Sequence, residues 1–205
     1  MLLNHVLLAA LWVLYCVLHS VLASRRVKIF VQSRSEKVFR YYRLSYTLFA
    51  ALSLAAVVWF QLSIATVFLF PPFVVADILG GITAVTGLLI MFICIKKYFL
   101  SLSGLKSLVQ ERPSATLMIS GIHRYLRHPL YLGTFLFLWG VWLITPTLSL
   151  LIANSIITAY TVYAIRLEEK KLVQEFGEQY IQYQKEVPKL LPRFRLAETG
   201  GRHGR

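Results

Sequence analysis

Apolar positions in this chain run in long blocks. Residues 2–22 are almost wholly apolar, and so are 44–66, 74–95 and 130–165. Blocks of this length suit helices that cross a hydrocarbon core of ~30 Å. "SRRVK" stops the first block, and residues 25–43 read as a basic connection ending in "FRYYR". "FLFPPF" (68–73) ends the second block, because its Pro-Pro pair breaks a helix. The third block ends at Lys96-Lys97, with Asp77 near its start at the interface. Thirty-six residues are too many for one span, and Thr145-Pro146-Thr147 interrupts the last block. It predicts a helical hairpin with arms 129–144 and 147–165, turning at the proline. The first arm reaches only ~24 Å at 1.5 Å per residue.

Polar positions change character after 165. Leu172, Phe176, Tyr180, Tyr183 and Val187 recur at steps of four, four, three and four. That stripe predicts an amphipathic helix over 166–187, kinked at Gly177, folding back over the inner ends of the spans. "SLSGLKSLVQ" (101–110) predicts a short helix on the membrane surface. Leu190 and Leu191 face something apolar, and 197–205 reads as a disordered tail. The expected architecture is an all-α integral membrane protein with a single domain over 1–196. It has five spans, at about 2–22, 44–66, 74–95, 129–144 and 147–165.

Composition agrees with this reading. The 205 residues are 57% hydrophobic and 15% charged, more apolar surface than a soluble domain of this size can bury. The net charge of +13 could suggest nucleic acid, but its distribution does not. All 22 Lys and Arg fall in 25–43, 96–127 and 166–205, where they mark membrane borders. Nucleic-acid binders place such charge on a folded polar face, so no nucleic-acid partner is expected. The connections after spans 1, 3 and 5 carry every positive charge. The positive-inside rule therefore puts the N-terminus outside and the C-terminus in the cytoplasm. "MLLNH" carries no Lys or Arg, the wrong polarity for a secretory signal, so the first block reads as an anchor. Cys16 and Cys94 lie in apolar runs and read as packing residues, with no disulfide framework and no metal site.

Two clusters carry candidate chemistry. In "GIHRYLRHPLYLG" (121–133), Pro129 suits the first turn of a helix. Free N–H groups at that helix start, with Arg124 and Arg127 nearby, make a site for a carboxylate or phosphate. Gly133 admits a close backbone or a flat ligand. The plain alternative is that the arginines anchor the helix in lipid headgroups. Glu168 and Glu169, in "RLEEKK", are two of nine acids in the chain. Their plain alternative is pairing along a solvated helix, such as Glu168 with Lys171. The two clusters sit at the two ends of one hairpin and so lie together on the inner face. A ligand with a carboxylate at one end and an ammonium, sulfonium or ribose diol at the other would match both. S-adenosylmethionine is such a molecule. His19-Ser20 read as an ordinary polar border, and Arg40 and Arg43 as headgroup anchors.

The run from 121 to 192 resembles the isoprenylcysteine carboxyl methyltransferase family of membrane methyltransferases. The family pattern is a Gly, Arg-His-Pro-x-Tyr-x-Gly, a hairpin, a Glu pair, Phe-Gly-x-x-Tyr-x-x-Tyr and Val-Pro-x-x-x-Pro, and all parts occur here in order. "LHSVLAS", "YYRLSY", "SGLKSL" and "ITPTLS" are similar to its bacterial branch, which includes the methanethiol S-methyltransferases. The resemblance implies a S-adenosylmethionine pocket under the hairpin. Tyr125, His128, Pro129, Tyr131, Leu132 and Gly133 would hold the cofactor, with Arg127 beside them. Glu168 and Glu169 would bind its polar end, and Tyr180 and Tyr183 would cover it. Arg127, His128 and Glu168 are the catalytic candidates. The acceptor would be a small or lipophilic thiol or carboxylate. A carboxylate is already ionised, whereas a thiol needs a base or a cationic neighbour. The restricted pre-proline position leaves His128 equally open to a structural role. No G-x-G-x-x-G follows a strand, which excludes a soluble Rossmann enzyme. The competing readings are a sterol-reductase-like oxidoreductase using nicotinamide, disfavoured by the short chain, and a non-catalytic scaffold or transport accessory, which gives the Glu pair no purpose.

Overall fold

The computed structural model describes residues 1–102, 117 and 119–191. Among these it forms seven α-helices and one 3-10 turn. The helices are α1 (Leu2–Ala23), α2 (Arg25–Arg34), α3 (Glu36–Ser63), α4 (Val74–Leu102), α5 (Pro129–Ile144), α6 (Leu148–Phe176) and α7 (Glu178–Glu186). The 3-10 turn is Gly121–Arg124. Four helices are long and apolar enough to cross a membrane: α1, α3, Val74–Lys96 of α4, and α6. α5 is apolar but has only 16 residues. Only 11–28% of each spanning window is buried within the chain, so most of this apolar surface faces outward, as lipid contact requires.

The basic connection expected at 25–43 is helical instead. Ser24 ends α1 and restarts the chain as the N-cap of α2, accepting from Val27 N at 3.4 Å. Ser35 does the same for α3, accepting from Val38 N at 3.3 Å. A serine oxygen satisfies one of the orphan N–H groups of a new helix, so two serines convert a basic linker into α2 and the first turns of α3. The helix that carries the second apolar block therefore begins at Glu36, ahead of residue 44. The helix of the fifth apolar arm is likewise longer than the apolar block. α6 does not stop at 165 but runs to Phe176, so Glu168 and Glu169 lie inside a continuous helix. Gly177, at φ 55°, ψ −131°, breaks it from α7. The expected surface helix at 101–110 and the tail from 197 fall outside the described residues, except that Ser101 and Leu102 close α4.

Three packing units position the site. Leu8 and Trp12 of α1, Val57 of α3 and Ala153 of α6 form one apolar core. α4 and α5 approach through small residues. A Cβ on Gly87 would stand 2.5 Å from Phe137 N and 2.6 Å from Gly133 O, and one on Gly140 would stand 2.5 Å from Ala84 N. Such contact between helix backbones is the usual way apolar helices associate in lipid. At the Ile144 end of α5, the two interhelical turns meet. Phe68 bridges Thr147, Leu69 N donates to Pro146 O at 2.8 Å, and Leu148 N donates to Val67 O at 2.9 Å. The stripe expected over 166–187 forms the third unit. Tyr180, Tyr183 and Val187 are buried together against Leu117, Leu172, Val173 and Phe176.

Candidate functional site

The N-terminal end of α5 meets the C-terminal part of α6. Pro129 occupies the first turn of α5, fully buried, and His128 is the N-cap. The segment after α7 returns to this corner as an extended strap. Arg127 N donates to Pro188 O at 3.0 Å and His128 N to Lys189 O at 3.1 Å. These two N–H groups are thus taken by protein carbonyls and are not open to an anion. The valine-proline segment serves as the strap that takes them.

Arg127 and Glu169 are the hub. Arg127 Nη2 lies 2.9 Å from Glu169 Oε1, and their side chains are only 8% and 10% exposed. Arg127 Nη1 donates to Gln184 O at 2.7 Å and Val187 O at 3.1 Å, the carbonyls at the end of α7. A cation there complements the negative end of the helix dipole. Glu169 also receives Lys189 Nζ on Oε2 at 3.0 Å and His128 Nε2 on Oε1 at 3.2 Å. Buried charges need this degree of pairing. One polar atom is left over: Arg127 Nε is buried with no hydrogen-bond partner.

Glu168 has a different setting. It points the other way from α6, with its side chain 46% exposed, and accepts Tyr131 Oη on Oε2 at 3.0 Å. His128 Nδ1 lies 3.9 Å from the same oxygen. The His128 ring is buried and stacked on Tyr131 at 5.6 Å between centroids. Burial holds its pKa below the ordinary histidine value, and Arg127 adds to that, against the pull of Glu168 and Glu169. A neutral ring bonding a carboxylate through Nε2 carries its proton there, leaving Nδ1 with the lone pair.

A cavity of about 230 Å³ opens beside these groups. His123, Arg127, His128 and Glu168 form its polar side, and Leu117, Ile119, Leu172, Tyr180 and Tyr183 its apolar side. Tyr183 Oη donates to His123 O at 2.6 Å, tying α7 to the 3-10 turn. A larger hollow of about 490 Å³ lies against Glu169, lined by Arg166, Lys170, Val173, Gln174 and Gln184. Its lining is largely exposed polar side chains, so the smaller cavity, where buried polar groups converge on an apolar wall, is the better ligand site.

Seven of the residues singled out in the sequence meet here: Arg127, His128, Tyr131, Glu168, Glu169, Tyr180 and Tyr183. Three do not. Tyr125 is 70% exposed and away from the cavity, because the 3-10 turn ends beneath it and aims its ring outward. Gly133 turns to α4, where its absent side chain admits the Gly87 carbonyl; a Cβ would stand 2.9 Å from it. Leu132 is half-buried and joins α5 through its N–H to His128 O at 3.2 Å. Lys189 and His123 belong to the site and have no separate signal, though both lie inside quoted motifs, "VPKLLP" and "GIHRY".

The profile of a family described as phospholipid methyltransferase matches residues 75–179. Methanethiol S-methyltransferase of Crocosphaera subtropica is 31% identical over 187 residues, covering 87% of this chain and 71% of that protein. Methanethiol S-methyltransferase 1 of Bradyrhizobium diazoefficiens is 30% identical over 193 residues, 89% of this chain and 65% of its own length. Protein-S-isoprenylcysteine O-methyltransferase of Homo sapiens is 35% identical over 119 residues, 53% of this chain and 41% of that one. No solved structure matches.

Proposed function

The chain belongs to the phospholipid methyltransferase family, and from that premise we propose that it transfers a methyl group from S-adenosylmethionine to a small or lipophilic thiol or carboxylate at the inner face of a membrane. That it is a membrane methyltransferase follows from the family; the donor, the acceptor class and the residue roles are the proposal. Relatives named for methanethiol and for S-isoprenylcysteine span the two acceptor chemistries.

One observation carries the reading. Glu168 is half-exposed at the cavity, directly beside a glutamate whose charge is already spent on Arg127, His128 and Lys189. An acid with one oxygen held by Tyr131 and its side chain at the cavity wall suits the ammonium or ribose hydroxyls of the cofactor. The orphaned Arg127 Nε offers a donor for an acceptor atom of the ligand. Tyr180 and Tyr183 supply aromatic wall for a flat base. The residues present therefore fit the group. When bound, the cofactor supplies an electrophilic methyl on a sulfonium, already a good leaving group.

The protein's part is placement and exclusion of water. Arg127 fixes the strap and α7 over the cavity, and Tyr131 fixes the Glu168 carboxylate. His128, kept neutral by burial, bonds Glu169 and is a positioning residue here. Low polarity favours the reaction, since positive charge disperses as the methyl moves. We place α5 as a fifth, short crossing, the N-terminus outside and the cavity on the cytoplasmic side.

The test is equilibrium binding of labelled S-adenosylmethionine to the detergent-solubilised protein. Glu168→Ala is expected to weaken binding at least ~10-fold, the loss of one charge-assisted contact. Unchanged affinity would remove Glu168 from the site.

A further inference from the structure

The hollow of about 490 Å³ is divided from the candidate cofactor cavity by the Arg127–Glu169 pair: Glu169 lines the hollow and Arg127 the cavity. Arg166, Glu169, Lys170, Val173 and Gln174 bring α6 to its wall, and Gln184 brings α7. The cofactor reading leaves this hollow without a task.

Its charge is lopsided. Glu169 already meets Arg127, His128 and Lys189 at 2.9, 3.2 and 3.0 Å. Arg166 and Lys170 have no ion-pair partner among the described residues. Two cations in one concave site, beside an acid whose charge is met elsewhere, call for an anion. Gln174 and Gln184 add amide groups that donate to oxygen. Arg166 and Lys170 are four residues apart, neighbours on one face and ~6 Å apart along the helix axis. That spacing lets both reach one phosphate, the arginine through its fork and the lysine as a point charge.

Position along α6 selects the source of the anion. No Lys, Arg, Asp or Glu occurs between Thr147 and Ile165, and Arg166 is the first after that apolar stretch. Val162 and Tyr163, four and three residues earlier and so on the same face, are 40% and 61% exposed. An apolar strip thus runs into a cationic hollow on one helix face. A phospholipid has this layout, with acyl chains for the strip and a phosphodiester for the cations. A soluble phosphate would use the cations and leave the strip bare.

We infer that the hollow binds the headgroup of an anionic phospholipid that carries no amine, as an effector and not as a methyl acceptor. Such a headgroup offers no nucleophilic nitrogen, and the Arg127–Glu169 pair stands between it and the cofactor cavity. Its occupancy is felt across that pair. Gln184 lines the hollow, and its carbonyl accepts from Arg127 Nη1 at 2.7 Å. A headgroup held by Lys170 and Gln184 together ties α7 to α6, and so steadies Tyr180 and Tyr183 at the wall of the smaller cavity. The lipid site does not depend on the methyltransferase reading.

The experiment uses the full chain in a neutral detergent, titrated with dioleoylphosphatidylglycerol. Native mass spectrometry and the thermal midpoint read binding, since a ligand of the folded state raises the midpoint. The parent should keep a single-lipid adduct. Arg166→Gln/Lys170→Gln should bind at least ~10-fold more weakly, each cation near a membrane surface being worth ~5-fold. Hydrogen exchange in α7 should slow when the lipid is added to the parent, and not in the double variant. Arg25→Gln/Arg26→Gln removes the same charge from α2 and should bind within twofold of the parent. If the first double variant does not fold, Lys170→Gln alone is expected to bind ~5-fold more weakly. Equal losses in the two double variants would mean diffuse charge attraction and would overturn the inference. Equal stabilisation by glycerol 3-phosphate at the same concentration would make the ligand a soluble phosphate and overturn it too. Unchanged exchange in α7 of the lipid-bound parent would do the same.

Discussion

Adjacent residues on a helix point about 100° apart, and here that angle separates Glu168 from Glu169. Glu169 faces inward and is held by Arg127, His128 and Lys189. Removing it leaves a buried guanidinium without its counter-charge, so Glu169→Ala should cost ~3–5 kcal/mol of stability, read as a large fall in thermal midpoint in detergent. Glu168 is half-exposed and bonded only through Tyr131, so Glu168→Ala should leave that midpoint nearly unchanged while donor binding falls. The opposite ordering of the two variants would refute the division of roles. His128 sets a pH dependence. Its folded-state pKa lies below the unfolded value of 6.5, so the unfolded chain binds the proton more readily. Its contribution is therefore complete above 6.5 and is lost as pH falls through the lower, folded value. The groups facing it are Arg127, Tyr131, Glu168 and Glu169. Thermal unfolding should show the parent losing stability as pH falls below about 6.5, and His128→Asn losing less.

At the scale of elements, the tightest approach is between α4 and α5, which share no motif chemistry. Gly80, Ala84 and Gly87 on one face Gly133, Phe137 and Gly140 on the other. A side chain at Gly140 would meet backbone atoms of Gly80 and Ala84, which cannot move aside singly. Gly140→Val should cost ~1–3 kcal/mol or more by overpacking, whereas Gly81→Val, where a Cβ meets nothing within 4 Å, should be near neutral. Comparative thermal unfolding checks the pair. The glycines of α5 are legible in the sequence, but not their partner: Gly133 reads equally well as a ligand contact or a backbone contact. The stripe from Leu172 to Val187 was fully legible, because a 3.6-residue period survives the break at Gly177. The serine-capped restarts at Ser24 and Ser35 were not, because the density of arginine and lysine hid them inside an apparent linker.

For the whole molecule, the distribution of charge predicts an orientation. Basic residues at 25–43, 96–127 and 166–205 should all face the cytoplasm if α5 crosses the membrane. Reporter fusions at the two termini should place the N-terminus outside and the C-terminus inside. Both termini on one side would mean that α5 does not cross, leaving four spans.

Sequence alone determined the long apolar helices, the methyltransferase class and the clusters of residues proposed to serve it. These follow from hydrophobicity, charge and motif order, which are properties of neighbouring residues in a chain that must choose between water and lipid. Tertiary structure decided which acid is consumed by Arg127 and which is left at the cavity. It also decided which glycine meets a helix, and that His19 of α1 packs against Tyr46 of α3 and Tyr160 of α6. Those outcomes depend on distances of a few ångströms between side chains on different helices, and such distances are set only when the helices pack.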